Sequence, residues 1–499
     1  MLLKTQVTIV EKQKSTCLIV GIFDDNTLTK TAKSLDKITG GQLQAALSAN
    51  GTTIKLGLVL PIFNPANIAA EQIILVGCGS KDGVTPMAFR KIALASMRAA
   101  SGKQGATITT YLTDVSVKDQ STTWKVKQLA ECAIEANYRF DHFRSKKEDP
   151  VTVNTFTIHI ANHPELKACE KALKQGEAVA TGVAYTKNLA NLPSNICTPF
   201  FLVESARKLA KEYKSLSLKV LDEKQMQKLG MGALLGVAQG SAMDAYMICI
   251  EYHGAAKSKA PIALVGKGIT FDTGGNSLKT PDNMVGMKYD MCGGATVLGT
   301  IKAACELQLA INIVGIIPAV ENMPGGTAYK PEDILESMSG QTIEVISTDA
   351  EGRLILADAL TYCERYKPEY VIDIATLTGA VVIALGTHAT GLISNDEKLT
   401  QSLLSAGTES NDRAWPLPLW DEYQEQIKSP FADISNTGGR TAGTITAGCF
   451  LSRFAKKFRW AHLDVAGTAA MMMGGSDRYA TGRPVPLLTQ FLIDKSQKN

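Results

Sequence analysis

The sequence has no run approaching the ~20 apolar residues that a membrane-crossing helix needs, no low-complexity tract and no internal repeat. Neither sign of charge dominates. The 52 Lys and Arg against 48 Asp and Glu leave +4 over 499 residues, too weak a field to mark a nucleic-acid or membrane-surface binder. The ten cysteines stand singly at 17, 78, 132, 169, 197, 249, 292, 305, 363 and 449, without one Cys-x-x-Cys pair. That spacing reads against a disulfide framework and against a zinc knuckle. Before any long apolar run can form, the start meets Glu11, Lys12 and Lys14, so no signal or transit segment is expected and the expected setting is the reducing cytoplasm. Also absent are a Gly-x-x-x-x-Gly-Lys-Ser/Thr loop, a Gly-x-Ser-x-Gly elbow and a His-Glu-x-x-His helix, which removes the main support for phosphate-loop, serine-hydrolase and zincin chemistry.

The composition is that of an ordinary globular α/β protein, and the length predicts two domains. In the first third, Thr16 to Phe23, Gln72 to Gly77 and Thr152 to Ile160 read as strands, and Pro86 to Ser101 and Trp124 to Ala136 as helices. An N-terminal α/β domain over 1–165, with an assembly or regulatory role, is expected to precede a larger catalytic domain over 166–499. The second region opens with an amphipathic stretch from Glu170 to Ala190, followed by a helix whose N-cap is Thr198 with Pro199 at its first position. Beyond residue 260 the alternation sharpens. Ile262 to Val265, Ile311 to Ala319, Thr342 to Ser347 and Tyr370 to Ala375 read as strands; Ala295 to Leu307, Pro331 to Met338 and Leu354 to Arg365 read as helices. That order predicts a mostly parallel central sheet flanked by helices on both faces, with ligands at the carboxyl ends of its strands.

Ionisable residues collect just past those strand ends. Lys267 and Asp272 follow the first, Asp349, Glu351 and Arg353 follow the third, and Asp290 precedes the helix near Ala295. If 349–353 is extended, two carboxylates and a guanidinium share one face. Carboxylates so close together need a compensating cation, and Asp272, Asp290, Asp349 and Glu351 suit two divalent metals with shared ligands. Gly266, Gly268, Gly274 and Gly275 let backbone approach such a centre closely. Either Lys267 or Lys279 could be ligand or electrophile, and spacing does not decide which. Each residue also has a bland reading, a salt-bridged turn for Lys267 and Asp272, or helix capping for Asp349 and Glu351. Capping explains only the third cluster. Gly77-Cys78-Gly79 reads as a turn, His462 as a hydrogen-bonded core histidine, and Met471-Met472-Met473 as wall or core.

The runs Val265 to Gly275, Met287 to Met291 and Ser347 to Leu354 resemble the leucine aminopeptidase (leucyl aminopeptidase, cytosol aminopeptidase) family, as do Asp373 to Gly379, Trp460 to Gly467 and Thr481 to Val485. The resemblance covers roughly 180–490. It implies a two-metal exopeptidase that removes N-terminal amino acids, leucine and other apolar residues preferred. Lys267, Asp272, Asp290, Asp349 and Glu351 would then be the ligands of two divalent ions, Mn2+ or Zn2+ with Mg2+ or Co2+ as alternatives, Asp272 and Glu351 bridging. Lys279 and Arg353 would be catalytic, Arg353 holding a bicarbonate that acts as general base. A hydroxide between the metals would be the nucleophile, and Asp290 with one metal would hold the α-amine. Met287, Thr376, Leu377, Gly379 and Ala466 would bind the substrate side chain. The resemblance further implies a homohexamer acting on peptides with a free N-terminus. Ser347, Thr273 and Asn276 depart from the family's usual Asn, Ser and apolar residue.

Two other activities fit less well. A two-metal phosphoesterase would share the carboxylates but lacks a phosphate cradle. DNA binding would rest on Arg139, Arg144, Lys146 and Lys147, a small basic cluster interrupted by acids that reads as a solvated face.

Overall fold

The computed structural model describes every residue except 52, 148–151, 472–477 and 498–499. It divides into two compact units, 1–180 and 181–499. The division falls inside the long helix Leu166–Ala190, which itself begins at the boundary expected near residue 165.

The first unit carries a six-stranded sheet in the order Leu2–Gln6, Val153–His159, Ala106–Thr110, Cys17–Ile22, Gln72–Gly77, Val59–Phe63. All neighbours are parallel except the last pair. Its central strand Cys17–Ile22 is buried at every position, the signature of a sheet covered on both faces. Arg144, Lys146 and Lys147 are exposed around a surface depression of about 460 Å³ that also includes Asp141.

The second unit is built on a nine-stranded sheet. Its order is Ala414–Pro416, Thr390–Ser394, Trp460–Asp464, Tyr370–Ala375, Ile262–Gly266, Asn312–Asn322, Tyr246–His253, Leu216–Leu221, with Gly268–Asp272 pairing onto the far end of the 312–322 strand. The middle is parallel, and antiparallel pairs close it on either side. Side chains alternate between two layers of helix. Val314 and Ile316 share a buried core with Leu354 and Ile355 of the helix Gly352–Cys363, whereas a Cβ at Gly315 would meet Val297 and Ile301 of the helix Cys292–Leu307. The two helices therefore cover opposite faces. The expected N-cap at Thr198 is present, its hydroxyl accepting from Phe201 N–H with Pro199 at the first turn.

Three local expectations are corrected. Residues 331–338 form no helix: Ile334–Glu336 pairs antiparallel with Thr342–Glu344. A tight turn at 337–340, with Gly340 at φ +84° and its N–H bonded to Ser337 O, makes this a hairpin. The strand expected to reach Ser347 stops at Glu344. Residues 349–353 are a turn running straight into the helix at Gly352, so their side chains converge through turn geometry and not through the alternation of a strand. Met472 and Met473 lie outside the described residues. No described helix is long and apolar enough to cross a membrane.

Candidate active site at the carboxyl edge of the large sheet

The parallel strands deliver their charged residues to one edge. Lys267 follows the 262–266 strand and is anchored by its own N–H to Ile374 O, 3.0 Å away on the neighbouring strand. Its Nζ donates to Thr376 O at 2.9 Å and pairs with Asp290 Oδ1 at 2.9 Å and Glu351 Oε1 at 2.7 Å. Asp272 ends the adjoining strand and meets Lys279 Nζ at 2.8 Å; the same ammonium pairs with Asp349. Six of the seven ionisable site residues read from the sequence are thus joined by ion pairs. The seventh, Arg353, lies in the first turn of the following helix, where Nη1 donates to Asn436 O at 2.8 Å. The helix-capping alternative is not adopted, since Glu351 sits at the N-cap without a side-chain cap bond.

Asp272, Asp290 and Glu351 are buried, and each offers a carboxylate oxygen within 4.8 Å of the others. Asp349 is 38% exposed on its side chain and stands at the mouth. Two glycines make this closeness feasible. A Cβ on Gly352 would lie 2.7 Å from Lys267 Nζ, and Gly274, at φ +87°, would place one 3.0 Å from Asp349 Oδ1.

Burial, and then the Asp272 charge, push Glu351 up to about 8. Burial likewise raises Asp290 and Asp349 against the pull of the lysines. Burial alone would discharge Lys267, yet Asp290, Glu351 and Asp272 together hold it well above the ordinary lysine range. Lys279 is held up in the same way by Asp272, Glu351 and Asp349. Arg353 is lowered to about 10 by burial. Among the described residues it has no carboxylate within ion-pair distance, and its buried Nε has no partner.

Divalent cations fit this donor set. Four carboxylates face two ammonium groups, and each ammonium already stands in a carboxylate pair as a cation would. Asp290 Oδ2 is buried and unpartnered among the described residues, a lone pair open to an ion.

Of the residues expected to receive the substrate side chain, Thr376 touches this cluster, and Leu377 and Ala466 share a second carboxylate, Asp464. Thr376 Oγ1 donates to Asp290 Oδ1 at 2.8 Å, and Leu377 N–H and Ala466 N–H both donate to Asp464 Oδ1 at 3.2 Å. Met287 opens the 3-10 turn that carries Asp290, and Gly379 begins the helix Gly379–Leu385. His462 is a core residue, 0% exposed, with Nδ1 2.6 Å from Asp373 Oδ1.

Several structural residues at the site were not singled out from the sequence. Asn322, 0% exposed at the end of its strand, donates to Asp272 Oδ1 at 2.8 Å and Thr348 O at 3.0 Å. Thr348 ties the loop of Asp272 and Lys279 to that of Asp349 and Glu351, its hydroxyl donating to Gly274 O at 2.6 Å and accepting from Ser277 N–H at 2.7 Å. Asn436 clasps the 346–350 turn through Ile346 N–H and Ser347 O. Asn322 and Asp464 close apolar strands at the ligand edge, a position that could have flagged them; nothing local marks Asn436. The three departures from the family pattern all have local partners. Ser347 Oγ accepts from Asp349 N–H, Thr273 Oγ1 donates to Asn322 O, and Asn276 Nδ2 donates to Tyr329 O.

An α/β sheet with buried carboxylates and lysines at its carboxyl edge fits the class of metal-dependent hydrolases. Comparison with known proteins narrows this. The model of the cytosol aminopeptidase family catalytic domain matches residues 184–489, and that of the family's N-terminal domain matches 19–147. A probable cytosol aminopeptidase of Nitrosospira multiformis is 52% identical over 492 residues, covering 98% of this chain and 94% of its own. The cytosol aminopeptidase of Pseudomonas aeruginosa is 50% identical over 487 residues, 98% of each. Among solved structures, a tomato leucine aminopeptidase mutant superposes with a TM-score of 0.87 at 31% identity, over 99% of this chain and 96% of that one. A bottromycin maturation enzyme in complex with Mn gives 0.83 at 29%, over 97% and 100%. The chain belongs to the cytosol aminopeptidase family and is a metal-dependent aminopeptidase.

Proposed function

We propose that the chain removes leucine and other apolar N-terminal residues from peptides, with Lys267, Asp272, Asp290, Asp349 and Glu351 holding two divalent ions, Mn2+ or Zn2+ in the first instance. The observation that carries this reading is the convergence of Asp272, Asp290 and Glu351 within 4.8 Å, with both lysines seated in the carboxylate pairs. Bound there, the ions supply a hydroxide at neutral pH and polarise the scissile carbonyl. Asp290 orients the substrate's α-amine, which confines cleavage to chain ends. Lys279, only partly exposed and held protonated by its carboxylate neighbours, donates to the developing oxyanion. Lys267, buried deeper, is a ligand only as the free amine.

Arg353 is an anion site in waiting, a buried guanidinium with an unpartnered Nε. Bicarbonate held there serves as general base, since no histidine or uncommitted glutamate stands among the site residues named. Met287, Thr376, Leu377, Gly379 and Ala466 receive the side chain. The exposed Trp415, Trp420, Ile383 and Phe431 favour burial against further copies, in a hexamer of about 320 kDa, six times the 53.4 kDa chain. Ten unpaired cysteines and the name of the relatives, cytosol aminopeptidase, favour the cytoplasm.

The test is hydrolysis of leucine p-nitroanilide by metal-loaded and metal-stripped enzyme, beside an amine-blocked substrate and the Lys279→Ala variant. Cleavage that requires metal and a free amine and collapses in the variant supports the assignment. A variant as active as the wild type would remove Lys279 from it.

A further inference from the structure

Asp464 is a carboxylate that the chemistry above leaves unused. It ends the 460–464 strand and is 1% exposed. Oδ1 accepts from Leu377 N–H and Ala466 N–H, both at 3.2 Å, and Oδ2 accepts from Thr378 Oγ1 at 2.6 Å. A threonine hydroxyl has one proton and two lone pairs. Thr378 gives its proton to Asp464, so it must accept from Val381 N–H at 3.2 Å and from Thr444 Oγ1 at 2.8 Å. The hydroxyl is saturated, and it is also the N-cap of the helix that starts at Gly379. One carboxylate thereby fixes two loops, 376–379 and 465–467, and the start of a helix.

We propose that Asp464 is the positioning residue that sets side-chain selectivity, by clasping together the two loops that carry Leu377, Gly379 and Ala466. The proposal rests on the assignment of those residues to the substrate side chain. The metal cluster does not depend on the clasp, because the near end of the 376–379 loop is pinned separately, Thr376 Oγ1 to Asp290 Oδ1. Loosening Asp464 therefore changes the shape of the pocket and leaves the carboxylate cluster in place. The signature is a change in KM for a large apolar side chain, with kcat much less affected.

The experiment compares kcat and KM of the full-length, Mn2+-loaded enzyme on leucine and alanine p-nitroanilides for wild type, Asp464→Ala, Asp464→Asn and Thr378→Val. Asp464→Ala is expected to lower the leucine-to-alanine ratio of kcat/KM about tenfold, through KM of the leucyl substrate. Asp464→Asn keeps an oxygen for Leu377 and Ala466 N–H, while Thr378 can turn its proton to Thr444 and accept from the amide. It is expected to restore the ratio to within about threefold of wild type. Thr378→Val, which breaks the Oδ2 arm, the cap and the bond to Thr444 but spares the Oδ1 arm, should fall between, and it carries the test if the alanine variant does not fold. The proposal is overturned if the ratio holds in Asp464→Ala, or in Thr378→Val where the alanine variant does not fold. It is also overturned if kcat falls in parallel on both substrates, or if Asn behaves as Ala, which would make the charge and not the clasp decisive. A wild type indifferent to leucine over alanine would sink the apolar pocket alone; the clasp would still be read as a reordered preference across a panel of side chains.

Discussion

Asn436 holds the turn that presents Asp349 and Glu351, and truncating it should weaken metal binding far more than it weakens the fold. Its side chain is fully buried and makes four hydrogen bonds. Ile346 N–H to Oδ1 and Nδ2 to Ser347 O are short at 2.8 and 2.7 Å; Ser347 N–H to Oδ1 and Nδ2 to Ala350 O are long at 3.3 and 3.4 Å. Asn436→Ala removes all four but spares the backbone, so Asn436 N–H still reaches Glu344 O and Asn436 O still receives Arg353 Nη1. Ile346 is 47% exposed, so water can serve its N–H. Ser347 O keeps only the bond from Ala350 N–H at 3.3 Å. Counting the two short bonds at about 1 kcal/mol each, the turn loses about 2 kcal/mol of order. Expressed in binding, that is about 30-fold weaker Mn2+ affinity. Calorimetric titration of metal-stripped wild type and variant measures it directly, with melting in chelator as the control for the fold. Asn436→Asp, which keeps the two accepting contacts, should lose less. Affinity within about twofold of wild type in Asn436→Ala would refute the clasp and place the rigidity of the turn elsewhere.

Four other outcomes are expected. Because four carboxylates face two ammonium groups, adding Mn2+ to the stripped protein should raise its melting temperature, by about 2.7 kcal/mol of stabilisation at a hundred times Kd; an unmoved melting curve would contradict the cation site. Asn322→Leu leaves Asp272 Oδ1 with only its bond from Gly274 N–H and should lower kcat/KM by about tenfold or more on leucyl and alanyl substrates alike, unlike Asp464→Ala, which separates them. Gly352→Ala would set a methyl 2.7 Å from Lys267 Nζ, and loss of activity and about 1–3 kcal/mol of stability are expected; a fully active, equally stable variant would mean that Lys267 has room to move. Asp358 is 0% exposed, accepts from Leu234 and Met338 N–H at 2.8 Å each, and is raised by burial to about 7. Between the ordinary carboxylate value and 7 the folded state holds a proton that the unfolded state has released. Its contribution to stability therefore falls as pH rises, by about 1.4 kcal/mol per unit, and levels off above 7. The advantage of wild type over Asp358→Asn in urea unfolding should shrink from pH 5 to pH 7, and a constant difference would refute the shift.

What the sequence made legible was local. Lys267, Asp272 and Asp290 each stand within a few residues of a strand end or helix start, so an apolar run and the charge beyond it predicted both the element and the edge to which it delivers. The helix Thr122–Ala136 was likewise carried by its own periodicity, and the strand Cys17–Ile22 by its short continuous apolar run. The residues that went unread act at a distance. Asn436 meets Ser347 across 89 positions, Asn322 meets Asp272 across 50, and Asp464 meets Thr378 across 86; no spacing rule reaches so far. Where local pattern misled, tertiary pairing had overruled it. Ile334 and Leu335 carry apolar periodicity, but the turn at 337–340 offers them strand partners, and burial of the hairpin against Gly236 outweighs helix propensity. The unit boundary fell within a continuous helix because amphipathicity shows that a face is buried and not which core buries it.

The cross-bracing bears on how the centre works. Thr348 joins the loop of Asp272 and Lys279 to the loop of Asp349 and Glu351 through Gly274 O and Ser277 N–H. Its own carbonyl receives both Asn322 Nδ2 and Tyr329 Oη, the latter at 2.8 Å. All of these bonds are made by groups outside the proposed metal-ligand and substrate-binding set. The geometry of the proposed ligands is therefore set by the fold itself, with the lysine ammoniums offsetting the repulsion between the carboxylates. Such a centre has little left to order when a metal arrives, so the binding energy is not spent on assembling the loops. The most accessible part of the site is Asp349, the one carboxylate of the four that is partly exposed and outside the buried trio. Of the two ions, the one that draws on Asp349 should exchange faster, and Asp349→Asn should widen the gap in chelation rates between them; equal rates for both ions in wild type would mean that exposure of this carboxylate does not control exchange.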